Sequence, residues 1–340
     1  MFDLHDMLSG RRRGVVAFNM MPVRGPWGGS SAFVRQLQGY LRRVGFAVRF
    51  DLRGPVDVVM LVDPREAPNK PFGVEAIAAY KARNEGTRVI HRVNECDLRK
   101  GTAFMDRMLA DANLAADHTV FISEWLRDHH AGKWFDRNKS HSVIYNGADD
   151  AVFYPAPGPG RAGGLLRVVT HHWSADERKG FDAYRELDRM IADGRLPGFE
   201  FRVIGRWPAD IRWRSATTAP PASGRRLARM LRDAHVYLTA SRWEPCGMHH
   251  VEGAQCGLPL VYHEDGGGIV EAGRKYGLPF RDDLRSALLE MRSRYDEYRA
   301  RALARRPSGL AMCAAYVRRI EELMCGAVGT ARRERNGTHA

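Results

Sequence analysis

Two acidic residues, Glu244 and Glu252, have the type and spacing expected of a ligand-binding site. They lie in residues 241–271, which read SRWEPCGMHHVEGAQCGLPLVYHEDGGGIVE. Pro245 and Gly247 place Glu244 in a loop after a predicted strand, whereas Glu252 lies about one turn into the next predicted helix. Backbone N–H groups at that helix start favour a phosphate, and the nearby carboxylate can bind a pair of ribose hydroxyls. The alternative is an ordinary loop with two solvated acids.

A glycine-rich loop is the second candidate. Residues 26–31, PWGGSS, lie between the first predicted strand and the first predicted helix. Gly28 and Gly29 let a phosphate or sugar approach the backbone closely, and the helix start again favours an anion. The alternative is a plain turn in which Ser30 or Ser31 caps the helix. A formal G-x-G-x-x-G at 158–163 precedes a strand instead of following one, so it does not predict a dinucleotide site.

Strands and helices alternate on both sides of one break in the sequence. Residues 154–164, YPAPGPGRAGG, cannot form a helix or a central strand, so we interpret 151–164 as a linker. The alternation predicts an α/β fold of two Rossmann-like, doubly wound parallel-sheet domains that face a cleft. Before the break, strands are predicted at 15–20, 46–52, 56–62, 87–93 and 118–122, and helices at 30–44, 74–83, 102–115 and 125–130. After it, strands are predicted at 165–171, 199–205, 235–240 and 260–263, and helices at 181–192, 225–232, 248–256, 283–300 and 310–324.

The order of these elements predicts five parts of the chain. Residues 1–150 form the first domain and 165–309 the second, with the linker between them. Residues 310–325 form a final helix, and 326–340 a basic tail. Ligands of such sheets bind at the carboxyl ends of the strands, so the candidate residues belong in loops on both sides of the cleft.

The acidic stretch resembles the donor-binding signature of retaining family 4 glycosyltransferases (glycosyl transferases group 1), which have the GT-B fold. The resemblance also covers the end of the first domain and the start of the first helix of the second domain. The matching residues are Ser241, Glu244, Pro245, Gly247, Glu252, Gly257, Pro259, Val261, Gly267, Gly268 and Glu271, then Asn146, Gly147, Asp149, Phe153 and Pro155, then Lys179 and Gly180.

The resemblance implies a glycosyltransferase (EC 2.4, hexosyl or pentosyl) that transfers a sugar from a nucleotide diphosphate sugar to an acceptor hydroxyl with retention. By the same resemblance, Glu252 holds the ribose, and Glu244 with the backbone near Gly247 contacts the donor sugar and diphosphate. Lys179 binds the diphosphate and stabilises its charge as it leaves. Gly205 lies near the base. The second domain is then the nucleotide-sugar domain, and the final helix crosses back to the first.

One departure from the family concerns the diphosphate. The family usually has an arginine four or five residues before the lysine, and here Trp173 and Ser174 hold those positions. Arg178 is adjacent to Lys179 and is expected to point away, so we consider His171, His172 and Arg206 as substitutes. The departure keeps open a catalytically weakened nucleotide-sugar-binding protein, and a nucleotide-sugar epimerase or hydrolase on the same fold is a further alternative.

The first domain is expected to bind the acceptor. Asp63 and the segment 91–97 follow predicted strands, which brings their polar residues towards the cleft. We predict Asp63, His91, Asn94 and Asp97 as acceptor contacts and Arg92 as a catalytic residue with Glu244 and Lys179. The alternative is a satisfied network of loop hydrogen bonds.

Neither a metal nor a cofactor is expected, apart from the nucleotide-sugar as co-substrate. The sequence has no D-x-D triplet, and its three adjacent histidine pairs do not have the spacing of a chelating motif. The five cysteines form no C-x-x-C pair, which argues against a zinc site and a disulfide framework and fits a reducing cytoplasm. The N-terminal residues lack the pattern of a secretory signal, so a cytoplasmic location is expected.

The charge balance points to an anionic partner or to a genome rich in G and C. The chain has 53 Lys and Arg against 40 Asp and Glu, a formal net charge of +13. Because the arginines are spread along the chain, nucleic acid is not expected as a partner. Peripheral contact with an acidic membrane stays open. So do the acceptor (an aminocyclitol or other antibiotic precursor, or a cell-surface glycan), the base of the donor and the oligomeric state.

Overall fold

Apolar runs in the first part of the chain form a parallel sheet. The structure is a computed structural model that describes residues 13–23, 25, 28–155, 157 and 164–336, with side chains through 326. Residues 26–27 of the glycine loop, the 158–163 motif and residues 337–340 therefore lie outside the described residues. The sheet order is β2-β1-β3-β4-β5-β6. The strands are β1 (Gly14–Phe18), β2 (Phe46–Arg49), β3 (Val58–Leu61), β4 (Arg88–Val93), β5 (His118–Phe121) and β6 (His141–Val143).

The helices of this part cover both faces of the sheet. Strands β3 and β5 are buried along their whole length, as expected for parallel strands between two helical layers. The short helix α3 follows β4 and brings a turn of chain to the cleft. The helices are α1 (Gly29–Arg43), α2 (Val74–Arg83), α3 (Asp97–Lys100), α4 (Met105–Asn113) and α5 (Glu124–Ala131).

A second parallel sheet forms after residue 164. Its order is β12-β11-β10-β7-β8-β9, so the direction in which strands are added reverses between β7 and β10. That reversal opens a crevice at the carboxyl ends of these two strands, where ligands of open α/β sheets bind. The strands are β7 (Leu166–His172), β8 (Phe199–Gly205), β9 (Thr217–Ala219), β10 (Val236–Thr239), β11 (Leu260–His263) and β12 (Gly277–Phe280).

The helices of the second part pack around this sheet, and the last one contacts the first sheet's helices. Helix α12 lies against α1, where the rings of Tyr316 and Phe33 are 4.9 Å apart. No helix among the described residues is both long and apolar enough to cross a membrane. The helices are α6 (Phe181–Ala192), α7 (Gly224–Arg232), α8 (Met248–Gln255), α9 (Gly268–Tyr276), α10 (Leu284–Ser293), α11 (Tyr295–Ala304) and α12 (Gly309–Asn336).

The predicted fold class, an α/β fold with two doubly wound parallel sheets, is confirmed. Four elements have the predicted bounds: α2, α6, β8 and β11. The sequence analysis missed α3, α9, β6, β9 and β12, because strands of three or four residues carry little periodicity and α9 begins in a glycine run that is typical of a turn. The predicted helix 283–300 is two helices, α10 and α11, and residues 326–336 of the expected tail continue α12.

Candidate functional site

A cavity of about 600 Å³ lies between the carboxyl edges of the two sheets. It is lined by residues from both halves of the chain and reaches the crevice between β7 and β10. Most residues that the sequence analysis selected line it. These are Gly28, Gly29, Asp63, Arg92, Asn94, Lys179, Gly205, Glu244, Gly247 and Glu252.

Glu244 holds two cations at the centre of this cavity. Lys179 ends a 3₁₀ turn, Glu177–Lys179, that follows β7, and its Nζ donates to Glu244 Oε2 at 2.6 Å. Arg99, from α3 in the other half, donates through Nε to the same oxygen at 2.9 Å. One carboxylate oxygen therefore joins a cation from each half of the chain.

The three charges keep one another ionised in a buried place. Burial alone would raise the pKa of Glu244, but the charges and hydrogen bonds of Lys179 and Arg99 outweigh it and hold the pKa well below its usual value. Burial lowers the pKa of Lys179, and Glu244 partly opposes this effect. Burial would lower the pKa of Arg99, but the charges of Glu244, Glu95 and Asp176 together outweigh it and raise the pKa.

Glu252 lies on the first turns of α8 and faces the cavity. Its carboxylate is 16% exposed, and its Oε2 is 2.9 Å from His171 Nε2. The other ring nitrogen of His171 is 3.0 Å from the Tyr237 hydroxyl, so the imidazole is fixed from both sides. The carboxylate of Glu252 is thus oriented by the end of β7 and retains a surface towards the cavity.

The starts of two helices meet beside these charges. Gly29 begins α1 and Met248 begins α8, and a Cβ added to Gly29 would lie 2.9 Å from Met248 Cγ. Neither helix has a side-chain cap on its first N–H groups. Uncapped helix N-termini carry partial positive charge, so this corner of the cavity favours an anion.

Gly205 lines the cavity at the end of β8, where the backbone leaves no room for a side chain. Its φ is +122°, and a Cβ would lie 1.6 Å from the carbonyl oxygen of His172. The lining continues into residues 221–224 at the start of α7. A flat group such as a base could stack against this backbone surface.

The residues considered as substitutes for the family's arginine either have other partners or lie outside the cavity lining. His172 is buried against Thr170 and Tyr184, and burial holds the pKa of His172 well below its usual value, so the ring is neutral. His171 is held by Glu252. Arg178 packs on Gly101 and pairs with Asp176. Neither Arg178 nor Arg206 lines the cavity.

Arg92 lies under the cavity floor with little exposure. Its Nη2 donates to Asn146 Oδ1 at 2.8 Å, and its guanidinium stacks over Phe33 at 4.1 Å. Among the described residues, its Nε and Nη1 atoms have no hydrogen-bond partner. Burial lowers the pKa of Arg92, and the interactions with Tyr316, Cys246 and Asp63 oppose this effect only in part.

Two of the predicted acceptor residues line the cavity and already have partners. Asn94 Nδ2 donates to Ser30 Oγ at 2.8 Å, at the start of α1. Asp63 binds Arg65 at 2.7 Å and Lys70 at 2.9 Å. Burial would raise the pKa of Asp63, but these two cations lower it, so Asp63 is an anion at neutral pH.

The other two predicted acceptor residues, His91 and Asp97, do not line the cavity. His91 points away from the cleft, with Nδ1 3.0 Å from Asn113 Nδ2, and burial lowers its pKa to about 3. Asp97 accepts hydrogen bonds from Thr102 Oγ1 and from the Met105 N–H. Burial would raise its pKa, and these hydrogen bonds lower it. Asp97 therefore caps the next helix.

One group of potential metal ligands occurs in the described residues, away from the cavity. Asp106, His129 and His130 have ligand atoms within 4.8 Å of one another. Both ring nitrogens of His130 are used, one by the Glu95 carbonyl and one by Trp134 Nε1, and Lys133 already binds Asp106. The residues present fit a hydrogen-bonded cluster better than a metal centre.

Sequence reasoning missed two residues that join the halves of the chain. Arg99 was not selected because nothing in the sequence places α3 against Glu244. Glu271 was matched to the family motif without a role, and here it accepts hydrogen bonds from the N–H groups of Glu124 and Trp125 and from Tyr145 Oη. It thereby caps α5 of the other half.

Comparison with known structures finds the same fold in solved glycosyltransferases. No protein-family model matches the sequence, and no curated protein matches it. Sucrose-phosphate synthase from Thermosynechococcus elongatus is similar in structure, with 17% identity, coverage of 92% of this chain and 100% of that one, and a TM-score of 0.65. HepE from Anabaena, solved with UDP and glucose, has 13% identity, coverage of 91% and 99%, and a TM-score of 0.62.

A third similar structure is AviGT4, a glycosyltransferase involved in avilamycin A biosynthesis. It has 18% identity, coverage of 92% of this chain and 98% of that one, and a TM-score of 0.60. Near-complete coverage in both directions means that both sheets and the cleft between them are shared. The chain therefore has the GT-B glycosyltransferase fold.

Proposed function

We propose that the protein transfers a sugar from a nucleotide diphosphate sugar to an acceptor hydroxyl, with retention of configuration. One observation carries the proposal: at the crevice between β7 and β10, the Glu252 carboxylate, the Lys179 ammonium and the uncapped start of α8 line one cavity. A carboxylate for a ribose diol beside cationic groups for a diphosphate is the pair of features that a nucleotide-sugar requires.

The similar structures support the same ligand class. HepE was solved with UDP, with UDP and glucose, and with UDP-glucose. The present chain has the same fold and a cavity at the corresponding cleft. We accordingly assign the donor to the second half of the cavity and the acceptor to the first.

Each group of the nucleotide-sugar donor can then be assigned to residues of the cavity. Glu252 accepts hydrogen bonds from the ribose hydroxyls, while residues 221–224 and Gly205 border the base. Lys179 and the N–H groups at the start of α8 bind the diphosphate. Glu244 contacts the donor sugar and keeps Lys179 charged.

The reaction needs no protein nucleophile in this proposal. The bond between the anomeric carbon and the β-phosphate oxygen breaks as the acceptor oxygen bonds to that carbon on the same face. The departing phosphate oxygen accepts the acceptor's proton, so the products are a glycoside and a nucleoside diphosphate. Lys179 and the helix start stabilise the charge on the leaving group without a metal.

Arg92, Asp63 and Asn94 line the first-domain side of the cavity. We assign Arg92 to the reacting sugar, because its buried Nε and Nη1 atoms have no partner in the described chain. Asp63 and Asn94 are assigned to the acceptor, for which an aminocyclitol-like natural product and a surface glycan are the two classes we propose.

A thermal-shift panel of UDP-, GDP-, ADP- and dTDP-sugars tests the donor site. A ligand at about 100 times its Kd stabilises the folded state by roughly 2.7 kcal/mol. One nucleotide should raise the Tm of the native protein, and Glu252→Ala should lose most of that shift. If no nucleotide raises the Tm, the proposal fails.

Incubation of the selected donor with candidate acceptors tests the reaction. Nucleoside diphosphate release that depends on acceptor supports transfer, whereas release of free sugar without acceptor indicates a hydrolase. The anomeric coupling constant in the NMR spectrum of the product then tests retention, and an inverted product would overturn that part.

A further inference from the structure

The second half of the chain contributes one cation to the cavity. Among the described residues that line it, Lys179 is the only Lys or Arg from β7 onward. Glu244 lies 2.6 Å from that ammonium and cancels its charge. Lys179 and Glu244 together therefore offer little net attraction for a diphosphate, which carries a negative charge on each of its two phosphates.

Arg99 restores the positive balance from the other half. It is 8% exposed, and its Nε contacts the same Glu244 oxygen as Lys179. Two cations against one carboxylate leave one positive charge, and the starts of α1 and α8 add about half a charge each. Asp176 is 3.8 Å from Arg99 Nη1 but is more exposed, so solvent screens it.

We propose that Arg99 is the second cation of the diphosphate site, so that residues of both domains bind the diphosphate of the donor. This inference rests on the proposed function. In this inference, Arg99 binds the diphosphate in place of the arginine that the family usually has in the loop after β7.

The guanidinium of Arg99 has a donor atom available for a phosphate. Its Nη1 is buried and, among the described residues, has no hydrogen-bond partner. A guanidinium presents donors in a planar fork, so Nε can stay on Glu244 while the Nη atoms bind a phosphate oxygen. Binding a phosphate would give this buried donor the hydrogen bond that it lacks among the described residues.

The position of Arg99 is fixed by a close contact between the halves. Gly101 ends α3 directly beneath the Arg178 guanidinium, and a Cβ there would lie 1.9 Å from Arg178 Nη2. Arg178 belongs to the same 3₁₀ turn as Lys179. The turn that carries Arg99 therefore rests on the turn that carries Lys179.

Lys100 also lines the cavity but is a weaker candidate. Its Nζ is 3.0 Å from Glu95 Oε2, and the side chain is 35% exposed. Its charge is thus paired with a carboxylate of its own loop and lies nearer to solvent. Arg99 is the better placed because it contacts the carboxylate that also holds Lys179.

The test compares a nucleoside with its diphosphate on purified full-length protein. Titration calorimetry measures the Kd of uridine and UDP, or of the pair for whichever base the panel selects. Arg99→Gln should weaken the diphosphate about tenfold to a hundredfold, the value of a charge-assisted contact, and leave the nucleoside unchanged. Arg99→Lys should lose less.

Arg107→Gln is the matched control. It removes the same charge from the same half of the chain, but its side chain is exposed, pairs with Asp111 and lies outside the cavity lining. Both Kd values should stay as in the wild type. A purely structural role of Arg99 would weaken nucleoside and diphosphate alike, so the ratio of the two Kd values is the decisive quantity.

The outcomes separate this inference from the proposed function. If the wild type binds no nucleotide, the proposed function fails and the inference with it. If the wild type binds and Arg99→Gln keeps its preference for the diphosphate, the inference is overturned and the function stands. If Arg99→Gln does not fold, Arg99→Met decides, because it removes the charge but keeps an unbranched apolar side chain, and an unchanged diphosphate preference there overturns the inference.

Discussion

Replacing Glu252 with alanine should remove the recognition of the ribose. In the proposed complex, its carboxylate accepts hydrogen bonds from two hydroxyls. Because the side chain is only 16% exposed, these bonds are little weakened by solvent. A hydrogen bond to a charged group contributes about 1.5–3 kcal/mol, and two bonds to one carboxylate are not fully additive.

We therefore expect a loss of about 2–4 kcal/mol of binding free energy, which corresponds to roughly a 30- to 700-fold rise in Kd. The variant also leaves His171 without its 2.9 Å partner, which is a structural cost separate from ribose binding. A change in affinity alone would not distinguish the two effects.

Pairing the variant with deoxy ligands isolates the ribose. Calorimetry of the wild type should show that the 2′- or 3′-deoxy form of the preferred ribonucleoside diphosphate binds more weakly than the parent. Glu252→Ala should bind both forms with similar Kd values. Glu264→Ala, at an exposed carboxylate paired with Arg281, serves as the control and should discriminate like the wild type.

The reasoning is refuted if Glu252→Ala still prefers the ribonucleotide by the wild-type factor. In that case the hydroxyls are read by another group, and the carboxylate has the role of holding His171. A uniform loss of affinity for both ligands would lead to the same conclusion.

Three further predictions concern charge and capping. Glu244→Gln should lower the free energy of unfolding by about 3–5 kcal/mol at neutral pH, because Lys179 and Arg99 lose their buried counter-ion. Since the folded-state pKa of Glu244 lies below the ordinary value of 4.5, the stability that its charge contributes is complete above that pH and declines in acid. Urea unfolding should therefore show that the difference in free energy of unfolding between wild type and variant narrows in acid. A difference that stays constant would contradict the assignment. Asp97→Ala should lower the free energy of unfolding by about 1–2 kcal/mol, because α4 loses its cap. The KM for any acceptor should stay unchanged, and a rise in that KM would instead support the prediction that Asp97 contacts the acceptor. Initial rates should be the same after EDTA treatment and dialysis, because Lys179 and helix N-termini supply the positive charge, and a metal-dependent rate would refute this.

The sequence predicted those parts of the site whose residues lie close together along the chain. Glu244, Gly247 and Glu252 follow one strand and open one helix, so strand, loop and helix positions define their neighbourhood. Glycine and proline mark these loops independently of any tertiary contact. For the same reason the boundaries of α6 and β8 were predicted correctly.

The structure departs from the sequence analysis where side-chain direction or tertiary contact matters. His91 lies inside β4, where successive side chains face opposite sides of the sheet, so it points to Asn113 while Arg92 points to the cavity. Asp97 caps α4 instead of lining the cavity, and the sequence does not separate these roles because a cap and a ligand contact use the same residue type. Arg99 could not be predicted, because its partner Glu244 is 145 residues away and the contact exists only when the halves meet.

The same contact gives a physical reason for Trp173 in place of a cation. A cation in the loop after β7 would serve the donor whether or not the halves were together. With Arg99 in that role, Lys179 and Glu244 nearly cancel until the first domain approaches. Glu271 reinforces this approach, because it caps α5 across the cleft through the Glu124 and Trp125 N–H groups. In the proposed arrangement, closing the cleft also supplies the positive charge for the diphosphate, so we expect the two domains to associate more tightly when the nucleotide is bound.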